Sequence, residues 1–303
     1  MKFIVTGGAG FVGSHLVKLL VKEGHTVTVI DNLHTGKKEN LRSVIQQITF
    51  KKIDIRNYEE LEKIMKNIDG VFHQAALTVV QDSFKNPQEY HDVNVDGTEN
   101  IFKLAQKNNF KVVYASSSSV YGHQEKVPIK ENASRNPINP YGQTKLDDEY
   151  LVEKYSKIGV KIIGLRYFNI FGEGQTLEYA GVITKFLDRI NQYQAPIIFG
   201  EGSQIRDFIY VEDIVMANLL AMKSKVNNLL VNIGTGKSIT ILELAKMFLE
   251  ISNLELKPIF KNALDGDIEK SQANIELATS SFNWKPKKML NEWLIEILKK
   301  WKF

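Results

Sequence analysis

The sequence predicts an α/β fold: a doubly wound parallel sheet followed by a smaller C-terminal α/β lobe. Three observations lead there. Short β-branched runs alternate with amphipathic stretches through the first half of the chain, as parallel βαβ units do. A glycine-rich loop joins the first such run directly to a helical stretch. Beyond about residue 170 the alternation loosens, with no repeat, low-complexity segment or linker to set a second unit apart.

Taken in order, period-two runs predict strands over 3–6, 26–31, 48–54, 70–73, 111–116 and 161–167. Apolar residues three and four apart predict helices over 13–22, from Tyr58, over 94–108 and over 141–155. Later signals are a helix over 182–193, a turn at Gly200-Glu201-Gly202-Ser203 and a helix over 211–222. The expected division is a sheet domain over 1–170, also receiving about 207–236, and a second lobe from 171–206 and 237–303. At 303 residues and 43% hydrophobic composition the chain can bury a large core.

The loop reads Thr6-Gly7-Gly8-Ala9-Gly10-Phe11-Val12-Gly13. Glycines 8, 10 and 13 fit G-x-G-x-x-G, and glycines 7, 10 and 13 fit the related G-x-x-G-x-x-G. The spacing supplies a tight turn, close approach of backbone to a pyrophosphate, and helix-on-sheet packing, with the phosphates at the positive helix end. Placed between a strand and a helix, it predicts a Rossmann dinucleotide site. Asp31, ending the second strand, suits the adenosine ribose hydroxyls and would repel a 2′-phosphate, so NAD is expected rather than NADP. Asp31 also fits a strand-end residue capping the next turn. Asp54, ending the third strand, suits either the adenine amino group or a turn.

Tyr141 and Lys145 stand four apart at the start of a predicted helix, so both lie on one face. An ordinary tyrosine ionises near pH 10, and serving as a base near neutrality requires about 4 kcal/mol of help for its anion. An ammonium beside it and a positively charged nicotinamide ring can supply that. Ser116-Ser117-Ser118-Ser119, at the end of a predicted strand, puts hydroxyls at the sheet's carboxyl edge, where ligands bind.

With these residues the chain resembles the extended short-chain dehydrogenase/reductases, in particular the NAD-dependent sugar epimerase/dehydratase group, and most nearly its UDP-glucose 4-epimerase branch. Further landmarks are Asp31-Asn32-Leu33, Ala75-Ala76, Asn94-Val95-Asp96-Gly97-Thr98, Val120-Tyr121-Gly122, Arg166-Tyr167-Phe168-Asn169, Arg206-Asp207-Phe208 and Asn232-Ile233-Gly234-Thr235-Gly236. The resemblance implies that Tyr141 is the catalytic base, Lys145 its partner and Ser117 the assisting hydroxyl. It implies cofactor contacts from Gly7, Gly10, Phe11, Val12, Gly13, Asp31 and Asn32. Further cofactor contacts fall on Asp54, Ile55, Ala75, Ala76, Asn94, Tyr141, Lys145 and Tyr167. For the substrate it implies Ser117, Asn169, Val182 and Phe199, with Arg206 on a nucleotide diphosphate, Asp267 on the uridine ribose, and Ser271 at the pocket gate.

The 4,6-dehydratases of this group carry Asp and Glu after the hydroxyl residue, and the decarboxylases a Ser-Glu pair; here Ser118 and Ser119 stand there. The expectation is therefore 4-epimerisation of a UDP-hexose, with NAD as a bound cofactor. The alternatives are a net reductase or dehydrogenase, a 4,6-dehydratase, and a non-catalytic NAD-binding regulator. Small Ser271 favours acceptance of N-acetylated sugars. Leu264 replaces a second diphosphate arginine, with Lys261 as a substitute, and Thr78 replaces a cofactor-phosphate lysine. Arg206 has as its structural alternative an ion pair with an acid such as Glu212.

The remaining expectations are negative or concern assembly. The net charge of +4 is spread along the chain, which disfavours nucleic acid, and six histidines form no metal-binding pattern. The absence of cysteine and a strand beginning at Phe3 point to a cytoplasmic protein without a signal peptide. The segment 291–303 is expected to cover the second lobe rather than lie in a membrane. The resemblance implies a homodimer in which the helices over 94–108 and 141–155 form a four-helix bundle, with Ile101, Leu104, Leu151 and Val152 as candidates for its seam or, alternatively, for the chain's own core.

Overall fold

The computed structural model describes residues 1–175 and 181–300. Its first half follows the predicted alternation: β1 (Lys2–Thr6), α1 (Phe11–Lys22), β2 (Thr26–Ile30), β3 (Ile48–Lys51), α2 (Tyr58–Ile64) and β4 (Gly70–His73). Two short helices, α3 (Val80–Lys85) and α4 (Pro87–His91), precede a π-helical turn over Asp92–Asp96 and α5 (Gly97–Asn108). Then come β5 (Lys111–Ser117), α6 (Pro140–Lys157) and β6 (Ile162–Tyr167). The third strand ends at Lys51, short of Asp54, and α5 begins three residues after Asn94.

The later chain is more finely divided, into β7 (Asn169–Phe171), α7 (Val182–Asn191), β8 (Ile197–Phe199), β9 (Ile205–Arg206) and β10 (Phe208–Tyr210). After α8 (Val211–Lys223) and β11 (Asn228–Ile233) follow β12 (Ile239–Thr240), α9 (Ile241–Ser252), β13 (Ile259–Lys261), β14 (Lys270–Ser271), α10 (Glu276–Phe282) and α11 (Leu290–Lys300).

Seven strands form one parallel sheet in the order β11-β6-β5-β4-β1-β2-β3. Alternate side chains feed opposite layers, since successive residues of a strand face opposite ways. Phe3, Val5 and Val113 join a core with α1, α8 and Trp284, whereas Ile4, Val112 and Tyr114 join one with α5 and α6. Because β1 is flanked by β2 on one side and β4 on the other, the winding direction reverses at β1, opening a crevice at the strands' carboxyl ends. A separate apolar core joins Phe171, Ile198 and Phe208 to α7, α9 and α11. Trp293, Leu294 and Leu298 of α11 are buried in it, and Trp301 lies outside the described residues.

Among the described residues no helix is long and apolar enough to cross a membrane. Of the candidates for a dimer seam, Ile101, Leu104 and Val152 are buried in the chain's own core, with Leu151 packed against it. Ile101, Leu104 and Val152 therefore offer no surface for an outer contact, whereas Leu151 is half-buried.

Candidate active site

At the reversal of winding lies a cavity of about 700 Å³ that runs from the glycine loop into the second lobe, within the size range of small-molecule sites. Gly7, Gly10, Phe11, Val12 and Gly13 line its cofactor end, with Asp31, Asn32, Ile55, Ala75 and Ala76. Ser117, Tyr141, Lys145 and Tyr167 also line it, as do Asn169, Val182, Phe199, Arg206 and Asp267. Three expected residues, Asp54, Asn94 and Ser271, do not line it.

The loop geometry fits a pyrophosphate cradle. Gly7 has φ +65°, and a Cβ there would lie 2.7 Å from the Ala75 backbone nitrogen. A Cβ on Gly13 would lie 2.1 Å from the Gly7 carbonyl oxygen and 2.8 Å from the Gly8 Cα, so what it meets is backbone and not a flexible side chain. Gly13→Ala is accordingly expected to weaken NAD binding on the order of 100-fold, about 2.7 kcal/mol, measured by calorimetric titration and by NAD retained through purification. Buried Asp31 accepts hydrogen bonds from the backbone N–H groups of Ala9 (2.9 Å) and Leu33 (2.8 Å). Burial raises its pKa, and these two donors work against that shift.

Asp54 is engaged elsewhere. Arg56 donates to both its oxygens, at 2.9 and 2.8 Å, and Asn32 donates to it at 3.0 Å. The Arg56 guanidinium holds this carboxyl well below the usual range, and the Arg56 backbone N–H donates to it at 2.9 Å, which fits the turn role weighed for Asp54. Arg56 lines the cavity in its stead. Buried Asn94 accepts from the Leu77 N–H (2.8 Å) and donates to the Leu77 carbonyl (3.0 Å) and the Thr144 hydroxyl (3.0 Å). It therefore ties the loop after β4 to α6 from behind the cavity wall.

The reactive residues are presented by β5 and α6. Asn139 caps α6, its side chain accepting the Gly142 N–H at 2.8 Å, and Pro140 starts the first turn, a standard helix opening. Tyr141 thus lies at the positive end of an 18-residue helix, where a developing negative charge is favoured. One turn on, Lys145 is 3% exposed, and its Nζ donates to Asp148 at 3.1 Å. At the end of β5 the Ser117 hydroxyl donates to that of Ser119 (2.9 Å) and accepts the Ser119 N–H (3.1 Å). The Ser116 hydroxyl donates to Glu149 at 2.7 Å, so of the two serines here that line the cavity, Ser116 is tied to the scaffold beneath it.

Several sequence motifs prove to be scaffold. Arg166 grips both oxygens of buried Glu149 at 2.7 and 2.8 Å and donates to the Tyr121 hydroxyl at 2.7 Å. Tyr121 in turn donates to Asn232 at 2.6 Å. Fully buried Asp207 accepts from the Thr235 N–H and hydroxyl and the N–H groups of Gly236 and Ala273. Tyr167 is held between Gln74 and Asn218, and burial raises its phenol well above the usual value, keeping it a neutral donor.

In the second lobe Arg206 pairs with Asp267, not with Glu212, which instead pairs with His15. Burial lowers the Arg206 pKa, and Asp267 opposes that. Ser271 is buried on β14, paired in register with Arg206, and stands behind the cavity lining rather than at its gate. Lys261 is exposed on β13 and does not line the cavity, whereas Lys185 of α7 does. Lys185 was missed in the sequence, although it stands one turn beyond Val182 on a predicted helix.

A parallel sheet with a glycine cradle at its switch point and Ser, Tyr and Lys lining one cavity define a dinucleotide-dependent α/β enzyme of the short-chain dehydrogenase/reductase type. Residues 3–234 match the model of the NAD dependent epimerase/dehydratase family. The chain belongs to that family, and NAD is its cofactor. It is similar to a UDP-N-acetylglucosamine 4-epimerase from Methanobrevibacter ruminantium, with 38% identity, 98% of this chain and 97% of that chain covered, and a TM-score of 0.92. A UDP-glucose 4-epimerase from Thermotoga maritima shares 36% identity over 99% and 98% of the two chains, with a TM-score of 0.94. A UDP-N-acetyl-α-D-glucosaminuronate decarboxylase from Bacillus cytotoxicus is 37% identical over 80% of this chain and 78% of its own.

Proposed function

We propose that the chain catalyses 4-epimerisation of a UDP-hexose, UDP-glucose and UDP-galactose first and their N-acetylated forms as further substrates, through a transient 4-keto sugar. The observation that carries this reading is that Ser117, Tyr141 and Lys145 line one cavity while neither of the two residues after Ser117 is an acid. Bound NAD supplies the acceptor, and afterwards the donor, of the C4 hydride. Tyr141 takes the proton of the C4 hydroxyl and later returns it. Ser117 orients that oxygen, and Lys145 favours the phenolate. Arg206 and Lys185 offer positive charge to the diphosphate, Arg206 by exchanging Asp267 for it, and Phe199 offers an aromatic face to the uracil.

The same residues set the reading apart from its rivals. Elimination of water across C5 and C6 needs a base for the C5 proton and an acid for the C6 hydroxyl, and Ser118 and Ser119 supply neither. Product analysis after incubation with UDP-glucose, UDP-N-acetylglucosamine and a UDP-uronic acid tests it. Epimers without net NADH formation support the proposal; carbon dioxide release or a dehydrated sugar would redirect it to the decarboxylases or dehydratases. A homodimer using the outer faces of α5 and α6 is also proposed, on surface residues other than the buried Ile101, Leu104 and Val152; sedimentation velocity reads it directly.

A further inference from the structure

Of the three consecutive acids Asp147, Asp148 and Glu149 of α6, the last two are fully buried. Glu149 is matched by Arg166 and Arg135. Asp148 has Lys145 as its ion-pair partner at 3.1 Å, and its second oxygen completes no hydrogen bond among the described residues. A buried carboxylate with a bare oxygen is costly to keep, and this one touches the lysine of the reactive set.

The groups around the pair come from four elements. On α6 they are Lys145, Asp147 and, one helical face along, Tyr141. On β5, Tyr114 lies with its ring 5.4 Å from the Lys145 ammonium. On β4, His73 bonds the Thr98 hydroxyl of α5 at 2.9 Å, and burial pushes this imidazole down to about 3, so it is neutral. Thr98 favours the charged form of Asp148 without completing a hydrogen bond to it. No second positive charge faces the carboxylate among these groups.

We propose that Asp148 is a positioning residue that sets how much of the Lys145 charge reaches Tyr141: ionised, it holds and offsets the ammonium; neutral, it leaves that charge to the phenol. The proposal rests on Tyr141 acting as the base of the proposed epimerisation. Burial pushes the Asp148 carboxyl up to about 7, with Lys145 pulling the other way, so the exchange between the two states falls in the working range of an enzyme. As pH drops and the phenolate becomes harder to form, Asp148 takes up a proton and hands the full ammonium field to it. As pH rises the carboxylate withdraws part of that help. The two titrations oppose each other and flatten the dependence of the base on pH.

The test compares the NAD-loaded wild type with Asp148→Asn. The acid limb of kcat/KM for UDP-glucose is expected to be steeper in the variant and to lie lower by at most about one pH unit, the ceiling for a unit charge removed two helical turns away, with the plateau little changed. The tyrosinate absorbance that disappears in Tyr141→Phe is expected to titrate lower by the same amount. That arm needs no sugar, so it still reads Asp148 if no UDP-sugar is turned over and the proposed function fails. Coincident tyrosinate titrations in Asp148→Asn and wild type would overturn the proposal. If the variant does not fold, infrared spectra of the wild type decide: a carboxylic acid band lost as pH rises through about 7 is expected, and its absence overturns the proposal.

Discussion

Replacing Tyr141 by phenylalanine is expected to slow sugar turnover by about 10³-fold, the scale of a lost general base, while NAD stays bound. The substitution removes one oxygen. The ring is half-buried at the start of α6, whose capping bonds come from Asn139 and the backbone, not from the phenol. The helix therefore keeps its geometry, and Lys145 keeps Asp148. What disappears is the group proposed to take the proton from the sugar hydroxyl, and Ser117 does not replace it, since its hydroxyl already donates to Ser119. KM for the UDP-sugar is expected to change little, so the loss appears in kcat. A residual rate near that of the wild type would remove Tyr141 from the mechanism.

Glu149→Gln is expected to destabilise the chain by about 3 kcal/mol, because removing one partner of a buried ion pair leaves the other uncompensated. At this chain length that is a fall of roughly 6 °C in Tm. Glu149 is the hub of a closed network: Arg166 holds both its oxygens, Arg135 adds a third bond at 3.0 Å and Ser116 a fourth at 2.7 Å. The amide keeps the shape but loses the charge that two guanidiniums were placed to meet. Calorimetry of the purified variant checks it, and an unchanged Tm would mean that the network relaxes without cost. Because Ser116 lines the cavity beside Ser117, a smaller loss of kcat should accompany the loss of stability.

The contrast between these two positions shows where the sequence is readable. Tyr141 was legible because its chemistry depends on a local spacing, four residues along one helix. Glu149 was not, because an acid in an Asp147-Asp148-Glu149 run reads as a solvated helical face, and what buries it is Arg166 on the neighbouring strand. Asp148 was hidden for the same reason. The main strands were legible from periodicity, with one overrun: Asp54 read as a strand end, although the ladder with β2 stops at Lys51. Two- and three-residue strands such as β9, β12 and β14 are too short to carry any period. The Arg206–Asp267 pair joins residues 61 apart, which no local pattern encodes.

The parallel sheet is closed on one side by β11, six residues laddered against β6, and that placement governs the order in which a growing chain can fold. Every residue of β6 is buried, yet its outer edge stays unpaired until the ribosome has made the β7 to β10 segments and then β11. A nascent chain that has reached only Tyr167 carries an apolar strand with free N–H and C=O groups, the feature that invites pairing with other chains. The early sheet is thus completed by a late piece of sequence, and the first half of the molecule depends on translation continuing past Ile233 before its last edge is sealed.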